Sequence, residues 1–189
     1  MTGGIGSGKS AALDAAERLG AATLSTDRVV HELYDDPEVQ DAVVARFGAV
    51  VAPGGTIDRG ALAQAAFAGE DDRAWLEQLL WPRVGARMAD WREQLERESP
   101  APRAAVVEVP LLFESGMGEA FDATIAVIAD EAVRSARAGA RGHEALQERG
   151  ARQLSQEEKA QRATYVVVND GSIEDLEAKL SGILEMLER

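Results

Sequence analysis

Gly3-Gly4-Ile5-Gly6-Ser7-Gly8-Lys9-Ser10 decides how the rest of this chain is read. It fits G-x-x-x-x-G-K-[ST], the pattern of a phosphate-binding loop. Glycines there permit backbone angles that turn several N–H groups toward one anion with no Cβ in the way. Lys9 would reach the outer phosphates as a point charge, and the Ser10 hydroxyl would ligate Mg²⁺. Ala11 to Leu19 reads as a helix, so its amino end would face the same anion. The plainer reading is a flexible glycine-rich tail; the correct placing of Gly, Lys and Ser, with a helix behind them, argues against it. Such a loop normally follows a β-strand, yet only Met1 and Thr2 precede the first glycine. Two residues are not a strand. Either the chain starts late, which is the expectation, with Met1 at the last apolar position of a strand otherwise missing, or the fold tolerates the gap.

The 189 residues suit one domain with room for an inserted subdomain. A net charge of −13 argues against non-specific binding to nucleic acid or acidic membranes, so positive charge for a polyphosphate has to be gathered locally. The chain has no cysteine, hence no disulfide or thiol chemistry, which fits the cytoplasm. No run is apolar and long enough to span a bilayer.

Along the chain, Gly20 is a plausible helix C-cap and Ala21 to Thr26 reads as a short buried strand. Asp27 follows at its carboxyl end, where ligands sit in open α/β sheets. There it can accept a proton from an acceptor hydroxyl or help hold Mg²⁺, or serve only as an N-cap. His31 reads as a helix-surface or packing residue. From Asp35 to Pro102 the pattern is helical: Asp35-Asp36-Pro37 opens one helix, Asp58 caps another, and a long amphipathic stretch runs from about Asp71 to Glu98. Pro82 should break or kink that stretch, and Trp75, Trp81 and Trp91 are expected to pack. Nearly seventy residues exceed one crossover helix, so an inserted helical subdomain is expected over about 35–102.

Ala104 to Val109 is a strand ending in acid. Glu108 could support Mg²⁺ through water, or simply pair with a nearby arginine. Thr124 to Ile128 and Tyr165 to Val168 are further strands, and Asp175 to Leu187 a closing amphipathic helix. Strands alternating with helices and no hairpin signals make the fold α/β, with a parallel doubly wound sheet flanked by helices. Arg134, Arg137, Arg141, Arg149 and Arg152 crowd the stretch between the last two strands. They read as a lid over about 131–153 that can meet phosphate oxygens, or as a solvated helix face paired with Glu131, Glu144 and Glu148.

The opening loop, Asp27 after a short strand, Val109-Pro110-Leu111-Leu112-Phe113-Glu114, and Gln153 with Lys159 ahead of Asn169-Asp170-Gly171-Ser172 together resemble the dephospho-CoA kinase family along the whole chain. The resemblance implies a P-loop NTPase-type kinase with core 1–34 and 103–189. It implies ATP and Mg²⁺ as cofactors and phosphorylation of the ribose 3′-hydroxyl of dephospho-CoA. It assigns Gly4, Gly6, Ser7, Gly8, Lys9, Ser10, Ala11, Arg141 and Asn169 to the nucleotide, and Lys9 and Asp27 to catalysis, with Arg137 as the expected substitute, through a one-residue shift, for a lid arginine. Asp27, Leu111, Leu112, Glu114 and Gln153 fall on the acceptor side, with Ser10 and Glu108 near the metal. The chain departs from the family with Ser25 where a further Asp is usual, Trp81 for His before Pro82, and Ala138 at a lid-arginine position. The expected assembly is a monomer or small homo-oligomer. Rival readings are another P-loop small-molecule or nucleoside monophosphate kinase and a nucleotide-binding protein without turnover. A switch GTPase would need Asn-Lys-x-Asp, which Asn169-Asp170 is not.

Overall fold

A computed structural model of the protein describes residues 1–139 and 153–188. Five short strands carry it: β1 (Thr2–Gly3), β2 (Ala22–Ser25), β3 (Ala105–Glu108), β4 (Ile125–Ile128) and β5 (Tyr165–Val168). β1 pairs in parallel with β4, β4 with β5, and β2 with β3. The two groups meet at Met1. Its amino group donates to Val107 O at 2.7 Å, and Val109 N–H donates back to its carbonyl at 2.9 Å, the two-way exchange of a parallel ladder. The combined order is β2-β3-β1-β4-β5.

Thr2 and Gly3 therefore form a strand where two residues were not expected to: they pair with Ala126 and Val127 on one side, while Met1 joins the ladder on the other. Met1 is 7 % exposed and packs with Val106, Val127 and Val167. Its buried amine is pushed down from 8.0 to about 6, because burial penalises the charge more than nearby Glu108 favours it.

Contacts divide the chain into two compact units, Met1–Ser25 with Arg97–Arg189, and Thr26–Glu96. In the first, α1 (Lys9–Arg18) and α8 (Ile173–Leu187) pack on one another. Ala12, Leu13, Ala15 and Ala16 meet Leu176, Leu180, Ile183 and Leu184 over the strands. The small alanines let α1 lie close. α7 (Gln156–Arg162) contacts β1 and β4, and α6 (Glu131–Gly139) follows β4.

The second unit holds α2 (Thr26–Leu33), α3 (Pro37–Phe47), α4 (Arg59–Phe67) and α5 (Glu70–Leu95). It therefore takes in α2, which the sequence reading gave to the core. Asp36 caps α3 through Glu38 N–H with Pro37 at the first helical position, and Asp58 caps α4 through Gly60 and Ala61 N–H. α5 runs on through Pro82, so the helix does not break there. Pro82 and Gln78 are exposed residues, and the Arg83 guanidinium donates to Leu79 O at 2.9 Å. Trp75 packs edge-on against Phe47, whereas Trp81 is 55 % exposed and does not pack as expected. His31 lies on the helix surface beside Arg59. Among the described residues no helix is long and apolar enough to cross a membrane.

Candidate active site

The phosphate loop leaves β1 at Gly3 and enters α1 at Lys9. Gly6 and Gly8 have φ of +76° and +88°, a region that admits glycine at little cost. Space demands glycine as well. A Cβ on Gly6 would lie 2.6 Å from Arg134 O, and one on Gly8 would lie 2.1 Å from Asn169 Nδ2.

Three side chains hold carbonyls of this loop. Lys9 Nζ donates to Gly4 O at 3.1 Å, Arg134 Nε to Ile5 O at 3.0 Å, and Asn169 Nδ2 to Ser7 O at 2.9 Å. Engaging the carbonyls holds the loop's shape; Ser7 N–H turns back to Gly4 O at 3.3 Å, and the start of α1 adds its dipole toward an anion. Among the described residues the buried Ser7 hydroxyl has no hydrogen-bond partner. These features fit a polyphosphate. Ser10 lies exposed in the first turn of α1, and Ala11 next to it is half-buried.

Arg137, expected to face phosphate, donates from Nη1 to Asn169 O at 2.9 Å; that nitrogen lies 3.4 Å from the place of a Gly8 Cβ. Arg134 also pairs with Glu131 at 2.9 Å. Arg141, Arg149 and Arg152, with most of the lid reading, lie outside the described residues.

Ser25 and Glu108 face each other at the ends of β2 and β3, and the Ser25 hydroxyl donates to Glu108 Oε2 at 2.9 Å. Glu108 is buried and already engaged, so the exposed Ser10 hydroxyl is the better placed of the two oxygen donors for a metal. Among the described residues no three His, Asp or Glu side chains gather as a cation site. Mg²⁺ commonly uses one or two side chains plus substrate phosphates, so this donor set fits it. Asp27 belongs to the helical unit, exposed in the first turn of α2 and two residues past Ser25.

Beyond β3, Pro110–Glu114 turns out of the sheet. Leu111 is half-buried, but Leu112 is 1 % exposed and belongs to the interior, its carbonyl taking Met117 N–H and the Ser115 hydroxyl, so it does not face a ligand as expected. Glu114 Oε1 takes the Lys159 ammonium at 2.8 Å and Leu154 N–H at 2.8 Å, while Oε2 is buried with no partner. Burial drives the Glu114 carboxyl upward, but Lys159 and the backbone N–H groups together hold it below the ordinary range. Gln153 lines a cavity of about 620 Å³ with Gly4, Ile5, Asp130 and Arg134. The sequence reading used Lys159 only as a family landmark. A lysine among polar helix residues carries no sign of burial in its own sequence.

The sequence profile of the dephospho-CoA kinase family matches residues 1–175. A dephospho-CoA kinase of Deinococcus radiodurans is 39 % identical, over 100 % of this chain and 91 % of its own length. One of Moorella thermoacetica is 36 % identical, over 100 % and 91 %. The crystal structure of TT1252 from Thermus thermophilus superposes with a TM-score of 0.81 at 34 % identity, covering 98 % of this chain and 95 % of that one. The dephospho-CoA kinase from Campylobacter jejuni shares the fold, with a TM-score of 0.68 at 24 % identity over 99 % and 94 % of the two chains.

Proposed function

The chain belongs to the dephospho-CoA kinase family, and from that premise we propose that it moves the γ-phosphoryl group of ATP to the ribose 3′-hydroxyl of dephospho-CoA. The observation that carries the reading is the phosphate loop, shaped by two left-handed glycines and pinned through its carbonyls. Transfer passes through a loose transition state, so alignment and charge neutralisation do most of the work.

Lys9 leaves Gly4 O for the outer phosphates, and the loop N–H groups take the remaining oxygens. Ser10 would hold Mg²⁺, which bridges phosphate oxygens and draws off their charge when bound. Arg137, beside Gly8 and Asn169, is suited to the charge on the transferring group, and Asn169 shapes the nucleotide side. Asp27 is the proposed base: an exposed carboxylate just beyond a strand's carboxyl end, able to take the hydroxyl proton as the bond to phosphorus forms. Leu111, Glu114 and Gln153 would line the acceptor. The cytoplasm is the proposed compartment, and a monomer or small homo-oligomer the proposed assembly.

The test is ATP-dependent conversion of dephospho-CoA to coenzyme A, with AMP as control acceptor and circular dichroism to establish folding. Selective turnover of dephospho-CoA is expected. A folded chain that prefers AMP, or turns over neither, removes the reading.

A further inference from the structure

Lys159 is 0 % exposed, and lysines are almost never fully buried without a partner. Its ammonium has three protons to place and three acceptors around it. They are Pro110 O at 2.7 Å, Glu114 Oε1 at 2.8 Å and Thr2 Oγ1 at 3.4 Å. The Thr2 hydroxyl in turn donates to Pro110 O at 3.2 Å. The three acceptors belong to two working parts. Thr2 is in β1, one residue ahead of the phosphate-loop glycines. Pro110 and Glu114 bracket the turn beyond β3. Lys159 itself stands on α7, whose approach supplies the Leu154 N–H that shares Glu114 Oε1.

We infer that Lys159 is a positioning residue for the acceptor: it fixes the Pro110–Glu114 turn to the base of the phosphate loop and aims the unpartnered Glu114 Oε2 at an acceptor hydroxyl or amine. The inference rests on the acceptor-side role given to Glu114 above. The geometry is specific to an ammonium in this place. An apolar side chain of the same length would remove the cation from the Glu114 carboxylate and the Pro110 carbonyl at once, leaving them the Leu154 N–H and the Thr2 hydroxyl, and the turn would relax to find water. The nucleotide side is held by other groups, Lys9, Arg134 and Asn169. Losing Lys159 should therefore separate the two substrates, which the loss of a general packing residue would not.

The test measures Lys159→Met, Lys159→Arg, Glu114→Gln and the double variant Lys159→Met/Glu114→Gln. Readouts are KM for each substrate, kcat, and calorimetric Kd for dephospho-CoA and for a non-hydrolysable ATP analogue. Lys159→Met is expected to weaken dephospho-CoA in Kd and kcat/KM by about tenfold or more, with ATP changed by less than about twofold. Lys159→Arg should restore part of the loss. Because Lys159 acts through Glu114, the double variant should be no worse than the poorer single variant. Equal weakening of both substrates, unchanged dephospho-CoA binding, or additive losses would overturn the inference. Should Lys159→Met fail to fold, the charge-free double variant and Lys159→Arg carry the same comparison, with Lys159→Arg expected to affect dephospho-CoA alone. A wild-type chain that neither binds nor converts dephospho-CoA would instead refute the proposed function, so the two failures are distinct.

Discussion

In a protein expressed to begin at Met1, lowering the pH from about 8 to about 6 should weaken the fold through the amine of that residue. Unfolded, that amine titrates near 8.0; folded, near 6, because it sits inside the sheet. Between those values the unfolded chain holds more protons than the folded one, so stability rises with pH across the window. It is complete above about 8 and lost as the pH falls through about 6. A fall of about two pH units at about 1.4 kcal/mol each gives about 3 kcal/mol, a sizeable part of the stability of an ordinary domain. The assay is the urea midpoint from about pH 5.5 to 9, with intact mass establishing that Met1 is retained. The reference is a chain lengthened upstream by a few β-branched residues. There Met1 N–H is an amide that bonds Val107 O without titrating, and the histidines common to both chains cancel. The stability gap should widen by about 3 kcal/mol from high to low pH. Parallel curves would refute the reasoning and mean that the amine finds water.

Three further outcomes are expected. Lys9→Ala should lower kcat/KM for ATP by about 10²–10³-fold while circular dichroism stays native, since Lys9 is partly exposed at the start of α1. Asp27→Asn should reduce kcat by about 10²-fold or more and leave ATP-analogue binding unchanged; an unaltered rate removes Asp27 as base. Gly8→Ala, at φ +88° with its new Cβ driven onto Asn169, should destabilise the chain by about 1–2 kcal/mol or more and abolish nucleotide binding measured by calorimetry.

What could be read from sequence follows from how local the cause was. Phosphate-loop glycines, the Asp36-Pro37 and Asp58 helix starts and the strands at Val106 and Val167 each carry their signal within a few residues. The β1 stub was unreadable, because its stability comes from two neighbouring ladders more than one hundred residues away in sequence. Pro82 did not end its helix, and whether a helix continues through proline depends on what surrounds it, a tertiary matter. Leu112 and Lys159 show the same limit at the site. One apolar residue proved to be interior and one cation proved to be buried, and both facts depend on what the Pro110–Glu114 turn packs against.

The carbonyl pins on the phosphate loop also bear on heat and entropy. A floppy glycine loop would surrender its conformational freedom when nucleotide arrives, and affinity would suffer accordingly. Here that freedom is surrendered when β5 and α6 bring Asn169 and Arg134 into place, as part of folding. Nucleotide would therefore meet a rigid receptacle, and calorimetry should record a small change in heat capacity for the loop's share of binding. Loosening the far end of β5 would weaken phosphate binding without touching a single atom that contacts phosphate.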